Sequence, residues 1–398
     1  MRLRNFTRIL IFICLFESIS CTQKPAKNIY RGKLDELMAG TFVLQKDNET
    51  KYIYDLRTVP GKEDWVILPS SLPDKRGIVF KFYDVKASIK FQEIFIPFDG
   101  PESLKGGSGS LNLVLDANEI LVVGRANTIG LYDSLGKLSK KWNVQLDISQ
   151  SREDYVQLEG RKGLLFQVGD WVQIGQNPSN LFRNLDPKSG ITTSEFPLDF
   201  NRWLTRVNLK TGQVAYSDFE APGGYAQFRH DLTSTYLMGA YDTKREQYYL
   251  GWPYSDSLYR LVDLELSEKF SPKTDNSFRY KPSEVQRSGR FMVWNQPKEA
   301  SSHIFLLYYD SNDLFLRASK THESGEGETK FSRTKHYVLA VFSGEWECLG
   351  EYFFDFEGEL DLENWFLTGG RLFINKPEQP NEDHYEFYRL DLSKIKKP

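Results

Sequence analysis

The sequence predicts an all-β protein folded as one β-propeller, with seven blades favoured and six accommodated by longer insertions. Three observations carry that expectation. Short runs rich in Val, Ile, Leu, Phe and Tyr recur along the chain, each ended by Gly, Asp, Asn or Pro; these have the length and composition of strands. Past residue 30, no amphipathic helical pattern exceeds two turns. Aromatic residues are plentiful, with 21 Tyr and 28 Phe against 4 Met, and flat rings suit a pleated, half-buried surface.

The N-terminus reads as an address. Arg2, Arg4 and Arg8 lead into the apolar run 9–16. Eight residues span about 12 Å as a helix, against about 30 Å for a bilayer core, so residues 1–20 are expected to be an export signal rather than a membrane anchor. Ser18, Ile19 and Ser20 then precede Cys21. Small residues before a cysteine form a lipobox, at which signal peptidase II cleaves and Cys21 receives acyl chains. Ser18 replaces the usual Leu and Glu17 adds a charge, so the alternative is an ordinary secretory signal with an incidental cysteine. Two or three acyl chains, at about 0.8 kcal/mol per buried CH₂, would make attachment permanent. Residues 21–30 are then a short lipid-anchored tether, and 31–398 the propeller domain.

Strand-like runs follow at 77–83, 119–124, 163–168, 291–294, 303–309, 336–342 and 371–374. Between runs lie turn sequences such as 133–137 and 210–213, in which Gly136 and Gly212 stand where a tight turn needs positive φ. A weak module of inner strand, loop and return strand recurs at 119–132, 247–261 and 370–390. Blades take about 40–50 residues each, so the 378 residues left after residue 20 fill seven. Long loops are expected at 101–110, 176–196, 271–288 and 319–330.

Charge and cysteine content narrow the function classes. Lys plus Arg number 51 and Asp plus Glu 54; without residues 1–20 these become 48 and 53, a net charge near −5. No basic block is present, which argues against nucleic acid as a partner. Of three cysteines only Cys348 lies in the folded part, so no internal disulfide forms there. The alternation around Cys348 points to a structural thiol on a strand.

The Cys21 signal, the segment 250–259 (Leu-Gly-Trp-Pro-Tyr-Ser-Asp-Ser-Leu-Tyr) and the closing stretch 369–392 resemble a Bacteroidetes family of β-propeller lipoproteins classed as a domain of unknown function. The resemblance implies fold and location. It transfers no catalytic residue, because the family has no assigned chemistry.

Motifs for chemistry are sparse. His230, His303, His322, His336 and His384 are far apart, and neither Cys-x-x-Cys nor His-Glu-x-x-His occurs, so no metal or cofactor is expected. Residues 310–313 read as a turn rather than a calcium loop, and the glycines of 106–110 as a flexible loop. The carboxylates of 345–363 read as a solvated strand face; the alternative is a glycosidase pair. Trp171, Trp203, Trp252, Trp294, Trp346 and Trp365 are expected to pack between blades. Alternatively, Trp252 lines an axial funnel with Arg229, His230 and Arg260, which are the candidate ligand-binding residues. The leading expectation is an outer-membrane lipoprotein, attached through its lipid, that binds an envelope protein or glycan. Its rivals are an enzyme of glycan or small-molecule turnover using funnel carboxylates or histidines, and a structural part of an uptake or assembly complex.

Overall fold

The protein is described here by a computed structural model. It covers residues 29–396 apart from 48, 51–54, 60–61, 72–76, 105–107, 117, 125–127, 145–156, 160–161, 179–181, 187–190, 197–198, 289–290, 323–333, 358–363, 377–378 and 380–382. Cys21, the signal at 1–20 and most of the 21–30 tether lie outside the described residues.

Six antiparallel sheets follow one another around a ring, each running from an inner to an outer strand. Blade 1 holds Arg57–Thr58, Trp65–Ser71, Gly77–Asp84 and Ile89–Pro97. Blade 2 holds Ser108–Val114, Ile120–Gly124, Thr128–Tyr132 and Leu138–Asn143. In blade 3 the inner strand comes in two pieces, Gln157–Glu159 and Phe166–Val168, both paired with Trp171–Asn177, followed by Leu204–Asn208 and Val214–Tyr216. Blade 4 holds Met238–Asp242, Gln247–Gly251, Leu258–Val262 and Glu265–Phe270. Blade 5 holds Ser302–Tyr309, Leu314–Lys320, Thr334–Ser343 and Cys348–Glu357. Blade 6 holds Phe366–Thr368, Arg371–Asn375 and His384–Asp391, and takes its outermost strand from Met38–Gln45.

The N-terminal segment therefore closes the ring twice. Tyr30–Lys33 runs parallel along the outer strand of blade 5, a one-turn 3₁₀ helix at Leu34–Leu37 crosses the gap, and Met38–Gln45 completes blade 6. The pairing of Met38–Gln45 with His384–Asp391 joins the N-terminal segment to the last blade and so closes the ring.

The favoured count of seven blades is corrected to six. Two further hairpins, Phe182–Asp186 with Ile191–Glu195 and Glu284–Ser288 with Phe291–Asn295, stand apart from the blade sheets, the first within and the second overlapping a stretch expected as a long loop. The first is inserted between the second and third strands of blade 3, and the second lies in the connection from blade 4 to blade 5. The run 291–294, expected as a strand from its apolar content, is one, and it belongs to the second insertion.

The core is divided among the seams between blades. Distinct apolar clusters fill blades 1 and 2, blades 2 to 4, blades 4 and 5, blades 5 and 6, and blades 6 and 1. Strand alternation distributes the side chains. In Leu314–Lys320, Leu314, Leu316 and Ala318 join the seam with blade 6, while Phe315 joins the seam with blade 4. Central strands are consequently buried on both faces, as Gly77–Asp84 shows over all but its last residue. Its one cation, the fully buried Lys81, is neutralised by Asp47 Oδ1 at 2.7 Å and also donates to Thr50 Oγ1. The turn glycines behave as expected, with φ of 75° at Gly136 and 76° at Gly212.

This connectivity gives the ring two unlike faces. First-to-second and third-to-fourth strand turns share one face and are short, such as 243–246 and 310–313. Second-to-third strand loops and the crossings between blades share the other, and include 217–237, 252–257 and 271–301.

Candidate functional site

The long loops of blades 3, 4 and 5 are tied together by buried polar groups, and the segment 252–257 is the root of the arrangement. Trp252 anchors it. The indole is fully buried, edge-on to Tyr259 at 4.3 Å and to Trp203 at 6.2 Å between ring centroids. Two residues on, the Tyr254 hydroxyl donates to Asp231 Oδ2 at 2.8 Å. Asp231 is 3% exposed; its Oδ2 also accepts from the Ser283 amide, and its Oδ1 from the Thr233 amide at 2.9 Å and hydroxyl at 2.8 Å. The Thr233 amide contact makes Asp231 the N-cap of the 3₁₀ turn Leu232–Thr235. One carboxylate thus joins the three connections 217–237, 252–257 and 271–301. Burial raises the Tyr254 phenol, keeping it a donor.

Asp256 begins a second chain. Its Oδ1 accepts from the Tyr280 hydroxyl at 2.7 Å and lies 3.2 Å from His303 Nε2. His303 Nε2 is also 2.7 Å from the Tyr280 oxygen, its Nδ1 is 2.7 Å from Ser319 Oγ, and its backbone amide donates to the Pro253 carbonyl. Burial, then the charge of Arg317, lower His303 to about 4 despite Asp256, so at neutral pH the ring is uncharged. One proton assignment satisfies every contact: Nε2–H points to Tyr280 and Asp256, and Nδ1 accepts the Ser319 hydroxyl. For Asp256, burial pushes the carboxyl up, but the hydrogen bonds from His303 and Tyr280 win and leave it below its ordinary value.

Ser319, His303 and Asp256 are the residue types of a hydrolytic triad. Their exposures decide against that chemistry. Ser319 is 0% and His303 1% exposed, and Ser319 sits within the paired strand Leu314–Lys320. No substrate reaches that oxygen, and the chain acts as a satisfied polar brace.

Arg317, two residues before Ser319, is different. It is 1% exposed, with its guanidinium carbon 5.3 Å from the Phe342 ring centroid and 5.9 Å from that of Phe278. None of its Nε, Nη1 and Nη2 atoms has a hydrogen-bond partner among the described residues. Glu351, in the same seam, accepts from the Asn276 amide at 3.1 Å through Oε1, while its Oε2 lies 3.6 Å from Arg31 Nε. Burial raises the Glu351 carboxyl.

The residues expected to form a ligand surface do not converge. Arg229 is half-buried and His230 exposed in the 217–237 connection, directly before Asp231. Trp252 faces the core, and Arg260 lies on the strand Leu258–Val262, paired with Glu268 at 2.8 Å. Sequence reading missed Asp231, Asp256, Tyr280 and Arg317, and gave His303 no partner. Its partners Asp256, Tyr280 and Ser319 are 47, 23 and 16 residues away. One signal was present: Arg317 interrupts a strand that is otherwise apolar or small up to Ser319.

Residues 310–312 form a 3₁₀ turn, and Asp313 beside it binds Arg245. Cys348 begins the outer strand of blade 5, and burial pushes its thiol up to about 12, which removes thiolate reactivity at neutral pH. In the carboxylate-rich stretch, Glu351 is buried rather than solvated. Among the described residues, no group of three or more His, Cys, Asp or Glu could hold a metal ion.

No protein-family model and no curated protein matches the chain. Solved structures do. BamB from Moraxella catarrhalis aligns at 10% identity with a TM-score of 0.35, covering 91% of this chain and 85% of that one. A luciferin-regenerating enzyme aligns at 9% identity with a TM-score of 0.44, covering 90% and 98%. A member of the DUF4221 family from Bacteroides vulgatus aligns at 15% identity with a TM-score of 0.63, covering 88% of this chain and 96% of that one. That last likeness shows the fold, an all-β propeller shared with a Bacteroides protein whose family is classed as a domain of unknown function.

Proposed function

We propose that this chain is an exported lipoprotein, attached to the outer membrane through Cys21, whose propeller presents its loop face to a protein or glycan of the cell envelope. The observation that carries the reading is Asp231. A buried carboxylate accepting from Tyr254, Ser283 and Thr233 fixes three long connections to one another. Loops held in place before an encounter lose little entropy on binding, which is what a recognition surface requires. The enclosed Ser319 hydroxyl weighs against a hydrolytic reading of the same region.

Photo-crosslinking in cells tests this on the full-length chain. A crosslinker at the exposed positions Gln227 or Lys281, both on loop-face connections, is expected to capture a discrete envelope partner. The same group at Leu135 or Lys210, exposed on short turns of the opposite face, is expected to capture none. Equal capture from both faces, or none from either, removes the reading. Cys21→Ser tests the address separately, since release from the membrane fraction is expected.

A further inference from the structure

The seam between blades 4 and 5 contains a cation without a hydrogen-bond acceptor among the described residues, and its surroundings define what such an acceptor would be. Alternation in Leu314–Lys320 turns Phe315, Arg317 and Ser319 toward blade 4. Across the sheet Arg317 pairs with Leu306 on one side and Ala340 on the other. Ala340 is small, so the long side chain lies over it toward Glu351, the residue paired with Ala340 on the next strand.

The side chain is enclosed at 1% exposure, between the Phe342 ring of its own blade and the Phe278 ring of the 271–301 connection. Rings on either side interact with the guanidinium through its charge but accept none of its N–H groups. An arginine stays protonated in a protein, and a buried ion without hydrogen bonds is among the costliest groups a fold can carry.

Asp256 and Glu351, whose charges act on Arg317, are engaged elsewhere. Asp256 Oδ1 takes the Tyr280 and His303 contacts, and Glu351 takes the Asn276 amide and faces Arg31. Neither makes a hydrogen bond to Arg317. Beside Glu351, the Asn276 Nδ2 group is a second buried donor without an acceptor among the described residues.

We propose that this seam is an anion site, in which a small monovalent anion of halide size sits against the Arg317 guanidinium beneath the 271–301 connection. Size follows from the flanking rings, which leave only the guanidinium edge for an acceptor. Single charge follows from the surroundings: the unmatched feature of Arg317 is its N–H groups, while the charges of Asp256 and Glu351 already act on it and oppose added negative charge, a phosphate or sulfate dianion most of all. The anion would lock the connection that carries Phe278 and Tyr280 onto blade 5, and so set the position of part of the loop face.

Two measurements on the full-length protein decide it. Crystals grown in sodium bromide are expected to show an anomalous peak within hydrogen-bond distance of the Arg317 nitrogens. A map with bromide only at surface lysines, or with ordered water against Arg317, overturns the proposal. In parallel, thermal melts at constant ionic strength, exchanging sodium gluconate for sodium bromide, are expected to rise by about 3 °C once the site is saturated. Arg317→Met is expected to abolish that rise while keeping a β-type circular dichroism spectrum. A wild-type midpoint indifferent to bromide, or a variant that keeps the rise, overturns it as well. The bromide map needs no variant, so it stands even where Arg317→Met fails to fold.

Discussion

Blades 4 and 5 meet around two arginines that solve the same electrostatic problem in opposite ways. Arg245, on the short-turn face, is saturated. Its guanidinium donates to Asp242, Asp313 and Glu345 at 2.8–3.2 Å, and Tyr308 donates to the same Asp313 carboxylate. Asp313 is held down to about 2, chiefly by its bond to Arg245. These partners come from one turn of blade 4 and two turns of blade 5, so the network is a staple complete in itself. Arg317, deeper in the same seam, has aromatic faces and no acceptor among the described residues. The contrast separates structure from capacity: the turn face uses up its polar groups, and the seam under the loop face keeps some in reserve.

Substitution at the two arginines is expected to give opposite signs, and this is the largest effect. Arg245→Met takes the ion-pair partner from Asp242 Oδ2, on a side chain 0% exposed whose Oδ1 keeps only the Lys244 and residue-245 amides, and should destabilise the protein by about 3 kcal/mol in urea titrations. Arg317→Met in halide-free buffer removes an unpaired buried charge and should leave stability unchanged or raise it by about 1 kcal/mol. Equal losses at both positions would break the comparison.

The second effect is a pH dependence located at His303. Its folded value near 4 lies below the ordinary 6.5, so the native state favours the neutral ring. The resulting stability is fully present above about pH 6.5 and is lost as the pH falls from there to about 4, amounting to up to about 3 kcal/mol. Midpoints of urea unfolding across that window measure it. His303→Gln should flatten the slope there, whatever it does to stability at pH 7.

A smaller effect is expected at the loop hub. Asp231→Asn keeps the volume but exchanges one acceptor oxygen for a donor facing the Ser283 amide or the Thr233 groups, and should cost about 2 kcal/mol. Crosslinking from Gln227 should weaken in the same variant. Unchanged crosslinking would show that the hub does not set the loop surface.

The strands were readable because their apolar runs are short and end in turn residues. At 133–137, for example, Asp133 Oδ1 accepts from the Leu135 and Lys137 amides and Gly136 takes positive φ. The blade count was not readable. Seven came from dividing chain length by the length of a blade, and the stretches expected as long loops at 176–196 and 271–288 hold, or begin, inserted hairpins that use up residues without adding a blade. The site was harder still. His303 reads as solitary because its partners arrive from three separate connections, and Asp231 was passed over beside Arg229 and His230, residues with more conspicuous chemistry. Arg317 was missed as well, although a charge in a strand buried on both faces is a signal that the sequence carries.

The central claim is that buried carboxylates hold the loop face as firmly as turns hold the other. Residue-level hydrogen exchange on the full-length protein tests it most directly, at the amides of Ser283 and Thr233, which donate to the Asp231 side chain. Slow exchange at both, lost in Asp231→Ala while the blade strands stay protected, is the predicted result. Exchange in the wild type at the rate of an unstructured chain would contradict it.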